Sequence, residues 1–218
     1  MCYKFHMRLS NRILLATTNR EKFDEFKSLF AAYPGIEPVP ADAIIRNTDG
    51  LKFAERHDTY LDNAIAKARL ANGACHYPAL ADDSGLEVDF LGGKPGVRSH
   101  RYATPKAGLT QDQANNQLLL SEMKNAGSAE RGARFVCTLA LLIEGIMLTS
   151  TGVLEGTIID QQRGEQGFGY DPIFIPKGSA KTLAEMTDGE KNSISHRAKA
   201  LHELMAKLKA HGLTLAKP

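Results

Sequence analysis

The sequence predicts an α/β protein whose sheet is at least partly antiparallel. Three observations carry that prediction. Residues 13–32 read as strand, polar turn and helix: the apolar run Ile13–Ala16 stops at Thr17, Thr18 and Asn19, and Phe23, Phe26, Leu29 and Phe30 then recur at helical spacing. The run FVCTLALLI over Phe135–Ile143 is a buried central strand. It turns at Glu144–Gly145 into Ile146–Ser150, with a third strand from Gly152 to Ile159, and this is a meander. The stretches at 60–71, 111–124 and 195–212 each place apolar residues on one helical face.

A chain of 218 residues holds one large domain or a domain of two lobes. An apolar content of 43% with 24% charged residues is that of an ordinary soluble enzyme. A net charge of +2 is too mild to argue for nucleic-acid binding, and no apolar run reaches membrane-spanning length. The first residues, MCYKFHMRLSNR, lack the apolar core of a signal peptide, so the expected location is cytoplasmic. Residues 1–12 read as an extension with Met7 as an alternative start, 13–212 as the domain and 213–218 as a tail. Cys2, Cys75 and Cys137 lie far apart without CxxC spacing and read as core or surface thiols.

Taken in order, the first strand ends in good N-cap residues, and the free amides of a helix start attract phosphate. Lys22 opposes the helix dipole there, which makes sense where an anion docks; a solvated lysine is the alternative. Pro34, Gly35, Pro38 and Pro40 leave room for a short strand around Ile36–Val39, and Asn47, Asp49 and Gly50 mark a turn. Glu55 either reaches a metal or stays solvated. Helix Tyr60–Ala71, capped by Asp58 or Thr59, turns Leu61, Ala64, Ile65, Ala68 and Ala71 inward. Asp62, Asn63 and Lys67 read as surface residues, with a cleft as the lesser alternative.

The densest chemistry lies in Ala79–Arg101. Leu86, Val88 and Phe90 alternate with Glu87 and Asp89 as a half-buried strand, beside a turn made by Asp82, Asp83, Ser84 and Gly85. Two adjacent carboxylates suit Mg²⁺, which takes hard oxygen ligands; a solvated turn is the other reading. The loop Gly92–Gly96 ends in Arg98, His100 and Arg101, a phosphate clamp or a solvated basic loop. Helix Gln111–Lys124 follows, with Ala114, Leu118, Leu119 and Met123 inward. Gly167 and Gly169 flank Phe168, whose ring can stack on a base or fill a bend in the core. Ser193 or Ser195 caps the last helix, which ends at Gly212, and His196 and Arg197 oppose its dipole as Lys22 does at the first. Two such helix starts point to a shared anionic or carbonyl-rich ligand, a surface pair being the alternative. No GxxxxGK[ST] P-loop occurs, which argues against an ordinary ATPase or GTPase.

Five motifs, ATTNREK (Ala16–Lys22), DNAIAKA (Asp62–Ala68), ADDSGLEVD (Ala81–Asp89), GFGYDPIF (Gly167–Phe174) and EKNSISHRAKAL (Glu190–Leu201), recur in an order that resembles the inosine/xanthosine triphosphate pyrophosphatase family. The resemblance runs from Ile13 to Leu208. It implies hydrolysis of non-standard purine nucleoside triphosphates (ITP, dITP, XTP) to the monophosphate and pyrophosphate. It also implies two α/β lobes around a long mixed sheet with flanking helices and a central active-site cleft, a homodimer, and Mg²⁺ as cofactor. By the same resemblance Asp83 is the metal-binding carboxylate and general base, and Asp82 helps to hold the ion. Thr17, Thr18, Asn19, Arg20, Glu21 and Lys22 match the triphosphate-binding turn, and Ser84 a substrate contact. Phe168, Gly169, Tyr170 and Asp171 match the base pocket, with Phe168 stacking on the purine. Lys191, His196 and Arg197 match residues that hold the nucleotide and read its 6-oxo group, His196 protonated or in the fitting tautomer. Lys22 and Lys191 would offset phosphate charge during attack of water on the α-phosphorus, with a neutral-to-alkaline pH optimum.

The departures are local. AERHDTYLDNA stands where the family has TGxTFxENA, with Glu55 the best match to a metal ligand. Thr18 replaces a common glycine and Arg98 a common tyrosine. Two rivals stay open, a Maf-type pyrophosphatase acting on pyrimidine or modified nucleotides and a binding module without catalysis.

Overall fold

The strand, turn and helix read over residues 13–32 form as β1 (Arg12–Leu15) and α1 (Arg20–Phe30), with Asn19 as N-cap accepting from Lys22 N–H at 2.8 Å. The structure, a computed structural model, describes residues 11–46, 48–53, 55–75, 77–105 and 107–213. Cys2, Met7 and most of the expected extension, Asn47, and residues 214–218 of the expected tail lie outside the described residues. The remaining elements are β2 (Glu37–Pro40), α2 (Asp49–Phe53), α3 (Tyr60–Cys75), β3 (Ala79–Val88), α4 (Gln111–Glu122), β4 (Gly132–Ile143), β5 (Ile146–Ile158), β6 (Phe174–Pro176), α5 (Asp188–Ile194) and α6 (His196–Ala210).

The strands form one six-stranded sheet in the order β2-β1-β3-β4-β5-β6. β2, β1 and β3 run parallel, whereas β3, β4, β5 and β6 are antiparallel neighbours. The predicted α/β class with a mixed sheet and flanking helices is therefore what forms.

Five local expectations are corrected. Asp82, Asp83, Ser84 and Gly85 are not a turn; they sit inside β3, paired with Leu139, Thr138, Cys137 and Val136. Gly85 serves close approach rather than chain reversal, because a side chain there would collide with the Gly96 carbonyl, Ser99 Oγ and Tyr60 Oη. Phe90 leaves the strand for a short 3₁₀ turn and is exposed. The meander has two strands, not three, since β5 pairs without a break through Thr151 and Gly152. The C-terminal helical region is two helices meeting at Ser195, which ends α5 and caps α6 by accepting from Ala198 N–H at 3.1 Å. Leu61 is exposed, because the buried face of α3 runs through Asn63, Ala64, Lys67, Ala68 and Ala71.

β3 threads the core. Leu80 joins the cluster that α1 and α6 pack on one face of the sheet, and Ala79 and Ala81 join the alanine-rich cluster under α3 on the other. Leu86 and Val88 belong to a separate cluster with Leu119 of α4, Phe135, Tyr170 and Phe174. Asp82, Asp83 and Ser84 are the polar interval between these apolar bodies. Among the described residues no helix is long and apolar enough to cross a membrane.

Candidate active site

A cavity of about 370 Å³ opens over that polar interval. It is lined by the turn after β1, by Asp83 and Ser84 of β3, by the 97–101 segment, by Phe168–Asp171, and by His196 and Arg197 at the start of α6. Successive strand residues face opposite sides of a sheet, so Asp82 and Asp83 are not a pair of parallel ligands. Asp82 faces α1, where its Oδ2 accepts from Lys22 Nζ at 2.7 Å and from Ser84 Oγ at 2.8 Å. Asp83 faces α3, where its Oδ2 accepts from Asn63 Nδ2 at 2.8 Å.

Their acidities diverge accordingly. Burial works against the Asp82 charge, but Lys22, Lys67 and Arg197 outweigh it and hold its carboxyl well below the usual range. Burial pushes Asp83 up to about 6, against the pull of Lys67, Lys22 and the Asn63 hydrogen bond, with the Glu55 charge adding to the rise. Two carboxylates driven apart in this way take different roles. Lys67, only 3% exposed, donates to Glu55 Oε1 at 2.6 Å and to the Asp82 carbonyl. Burial disfavours its charge, but Asp82, Glu55 and Asp83 together keep the ammonium above its ordinary range. Arg101 Nη1 reaches Glu55 Oε2 at 3.7 Å.

This acidic end suits a hard divalent cation. Asp83 and Glu55 both line the cavity, and among the described residues no cluster of three His, Cys, Asp or Glu side chains surrounds the place. One or two carboxylates with the remaining positions left to phosphate and water is the ligand pattern of Mg²⁺.

At the other end stands Phe168. Its ring has Lys191 Nζ 4.8 Å and Arg197 Cζ 5.2 Å from its centroid. Asp171 Oδ2 accepts from Phe168 N–H at 2.9 Å and from Lys191 Nζ at 2.7 Å. Glu25 of α1, with a side chain 7% exposed, holds Arg197 Nη1 at 3.0 Å and Lys191 Nζ at 3.7 Å. The positive charge at the start of α6 is thus answered by α1. The His196 ring stacks on Phe135 at 4.9 Å between centroids, 12° from parallel, and both its nitrogens are buried without a partner among the described residues. Burial, then Arg197, Lys191 and Lys22, hold its pKa well below the usual value, which favours the neutral imidazole. Among the described residues Glu25 Oε1 and Arg197 Nε are also buried and unpartnered.

The cavity gathers Thr17, Thr18, Asn19, Glu21, Lys22, Glu55, Asp83, Ser84, Phe168, Gly169, Tyr170, Asp171, His196 and Arg197 from the expected set. Three expected residues stand off it. Arg20 points outward, 71% exposed, to Asp24 at 3.2 Å. Asp82 lies behind Lys22, and Lys191 is 8% exposed between Asp171 and Glu25. Of the basic loop, His100 and Arg101 line the cavity, while Arg98 lines a neighbouring cleft. Glu25 and Asp112 escape the sequence reading, and Asn63 and Lys67, read as surface residues with a cleft as the lesser alternative, are buried beside Asp83 and Glu55. Asn63 and Lys67 lie four apart on α3, the spacing of one helix face, and that is the signal by which they could be found.

The Ham1 family profile matches residues 13–207. The chain belongs to the Ham1 family. It is 44% identical over 209 residues to the dITP/XTP pyrophosphatase of Bacillus subtilis, covering 94% of this chain and 100% of that protein. With the dITP/XTP pyrophosphatase of Bordetella pertussis the identity is 45%, covering 92% of each. The solved Ham1 protein of Staphylococcus aureus superposes with a TM-score of 0.76 at 35% identity, covering 92% of this chain and 99% of that one. That of Coxiella burnetii gives 0.76 at 37%, covering 91% and 98%. Membership in the Ham1 family spans the whole cavity, from the Thr17–Lys22 turn to Arg197.

Proposed function

We propose that this chain hydrolyses non-standard purine nucleoside triphosphates, dITP, ITP and XTP, to the monophosphate and pyrophosphate. One observation carries the proposal: in a Ham1-family chain, one cavity sets an aromatic plate, Phe168, at one end and Asp83 with Lys22 at the other. The purine stacks on Phe168. A neutral His196 with two unpartnered nitrogens offers one N–H to a 6-oxo group, which adenine lacks, and a buried polar group left unpaired discriminates strongly. Lys22 and the amides of the Thr17–Lys22 turn take the phosphates. Lys191, held behind Phe168, braces the base slot rather than the phosphates.

Asp83 takes the proton of the water that attacks the α-phosphorus. The new bond is from that water oxygen to phosphorus, and the bond broken runs to the bridging oxygen of the departing pyrophosphate. Asp83, pushed up to about 6, is an ionised acceptor from neutral pH upward, in keeping with the expected optimum. A divalent cation such as Mg²⁺ on Asp83 and Glu55 would neutralise phosphate charge and acidify water. Asp82, committed to Lys22, positions that lysine instead of binding the ion. The homodimer is carried on the resemblance alone.

The test is pyrophosphate release from ITP, dITP, XTP, GTP, ATP and dTTP, with Mg²⁺ or with EDTA, for the wild type and Asp83→Asn. The expected result is release from the first three with Mg²⁺ only, lowered about 10³-fold in the variant. A preference for dTTP favours the pyrimidine-directed rival. Binding without turnover favours the non-catalytic one.

A further inference from the structure

The polar face of α4 is not accounted for by the catalytic groups. Gln111, Asp112, Asn115 and Asn116 lie at i, i+1, i+4 and i+5, one side of the helix. Asn115 and Asn116 are each 2% exposed, unusual for side chains with no charge to bury alongside them. Their hydrogen bonds go to the two loops that wall the base end of the cavity. Asp112 Oδ2 accepts from Gly169 N–H at 2.7 Å, and Asn116 Nδ2 donates to the Gly169 carbonyl at 3.0 Å. Both peptide groups of the residue after Phe168 are therefore held by one helix. Asn115 Nδ2 donates to the Ser99 and His100 carbonyls, each at 3.1 Å, and its Oδ1 accepts from Ala103 N–H at 2.8 Å. Tyr170 Oη closes the frame by donating to the Ser99 carbonyl at 2.9 Å.

We propose that this face of α4 is the brace that sets the width of the base slot, with Asp112 and Asn116 as positioning residues for Phe168 and Asn115 as the tie to the opposite wall. The inference rests on the base-stacking function above. The Phe168 ring is already backed by Lys191 and Arg197, and its own N–H is held by Asp171. Asp112 fixes the N–H of the Phe168–Gly169 peptide, whose carbonyl accepts from Asp171 N–H at 3.3 Å, and Asn116 fixes the carbonyl of the next peptide, Gly169–Tyr170, so the backbone beside the plate is held on both sides of Gly169. A loop fixed before the ligand arrives gives up less freedom on binding, so the brace acts on affinity for the base and not on the chemistry at phosphorus. The phosphate end does not feel it, since the Thr17–Lys22 turn takes its position from β1 and α1.

The experiment measures three quantities for the wild type, Asp112→Ala, Asp112→Asn and Asn116→Ala: steady-state kinetics on ITP, calorimetric affinity for inosine monophosphate, and inhibition by inorganic tripolyphosphate. The two alanine variants are expected to raise KM and the monophosphate Kd about 10-fold, the size of one lost hydrogen bond in a partly buried site. The expected kcat stays within about threefold, and tripolyphosphate inhibition within about twofold. Asp112→Asn keeps an oxygen that accepts from Gly169 N–H and restores affinity to within about threefold of the wild type. Equal loss of tripolyphosphate and monophosphate affinity would mean general damage and overturns the brace. So does an alanine variant that binds the monophosphate like the wild type while the wild type turns over ITP. A wild type that neither hydrolyses nor binds purine nucleotides overturns the function itself, and the brace with it.

Discussion

Asp82 and Asp83 differ in chemistry because a strand sends them to opposite faces and each face holds different charges. Asp82 meets Lys22 and is held as an anion; burial pushes Asp83 up to about 6, and its amide partner Asn63 offsets only part of that rise. Lys67 sits between the two acidic systems, on Glu55 through its side chain and on Asp82 through the main chain. It is placed to offset charge that develops on a phosphate beside Asp83, in a site where burial strengthens each such interaction. Lys67→Met is expected to lower kcat on ITP by about 10²-fold. Because Lys67 lowers the Asp83 pKa, the acid limb of the rate profile is expected to move to higher pH in the variant. Both are read from pH–rate curves at saturating ITP. An unaltered kcat would reduce Lys67 to an internal counter-charge for Glu55.

At the scale of elements, the placing of α6 on the sheet decides where His196 and Arg197 stand. α6 crosses β5 at Gly152, where a side chain would collide with the main chain of His196 and Ala200, and Ser150 Oγ donates to the Ala200 carbonyl at 2.7 Å. Gly152→Ala must lift the helix, and neither backbone can swing aside as a flexible side chain would. The expected cost is about 3 kcal/mol, toward the upper end of overpacking effects. That corresponds to a melting temperature lower by roughly 6–12 °C for a chain of this size, with a raised KM. Gly189 in α5 is the control: its added methyl meets nothing within 4 Å, and Gly189→Ala is expected to stabilise by about 0.5–1 kcal/mol. Thermal melts of the two variants separate a packing contact from a helix preference; a shift of the same sign in both would refute the contact.

The same crossing explains what could be read from the chain and what could not. Apolar periodicity reports which face of a helix meets a core, so α1, α3, α4 and α6 and the strand β4 are legible. It is silent on polar faces: Asn63, Lys67, Asn115 and Asn116 have the pattern of a solvated side, yet they are buried against a polar site. Lys22, His196 and Arg197 could be found because their charge opposes a helix dipole, and Phe168 because glycines flank an aromatic. Only the resemblance separates Asp82 from Asp83; turn propensity at Asp82–Gly85 gives neither a face of the sheet. Register with β4 is a long-range property that turn propensities do not contain.

Across the whole molecule, the cavity is a seam of buried charge between apolar bodies, and its acid–base balance must appear in global stability. Two buried groups of the seam act in opposite directions. His196 has an ordinary value of 6.5 in the unfolded chain and lies well below it when folded. Between those values the unfolded chain binds the extra proton, so stability falls as pH drops below about 6.5. Asp83 has 3.8 in the unfolded chain and about 6 when folded. Between those values the folded chain binds the extra proton, so stability rises as pH drops through 6. Asp171, held above its ordinary value by burial, acts in the same direction as Asp83. The metal-free wild type therefore carries two opposed slopes, each up to about 1.4 kcal/mol per pH unit, over the same range. Single variants expose them. Asp83→Asn removes a buried charge, so with EDTA present it is the more stable protein at pH 7, and its advantage shrinks steadily toward pH 4.5. His196→Phe, which keeps the stack on Phe135, matches the wild type at pH 7 and gains on it over the same interval. Urea unfolding at four or five pH values measures both differences directly. Curves that stay parallel to the wild type would place both side chains in solvent-like surroundings and contradict the seam.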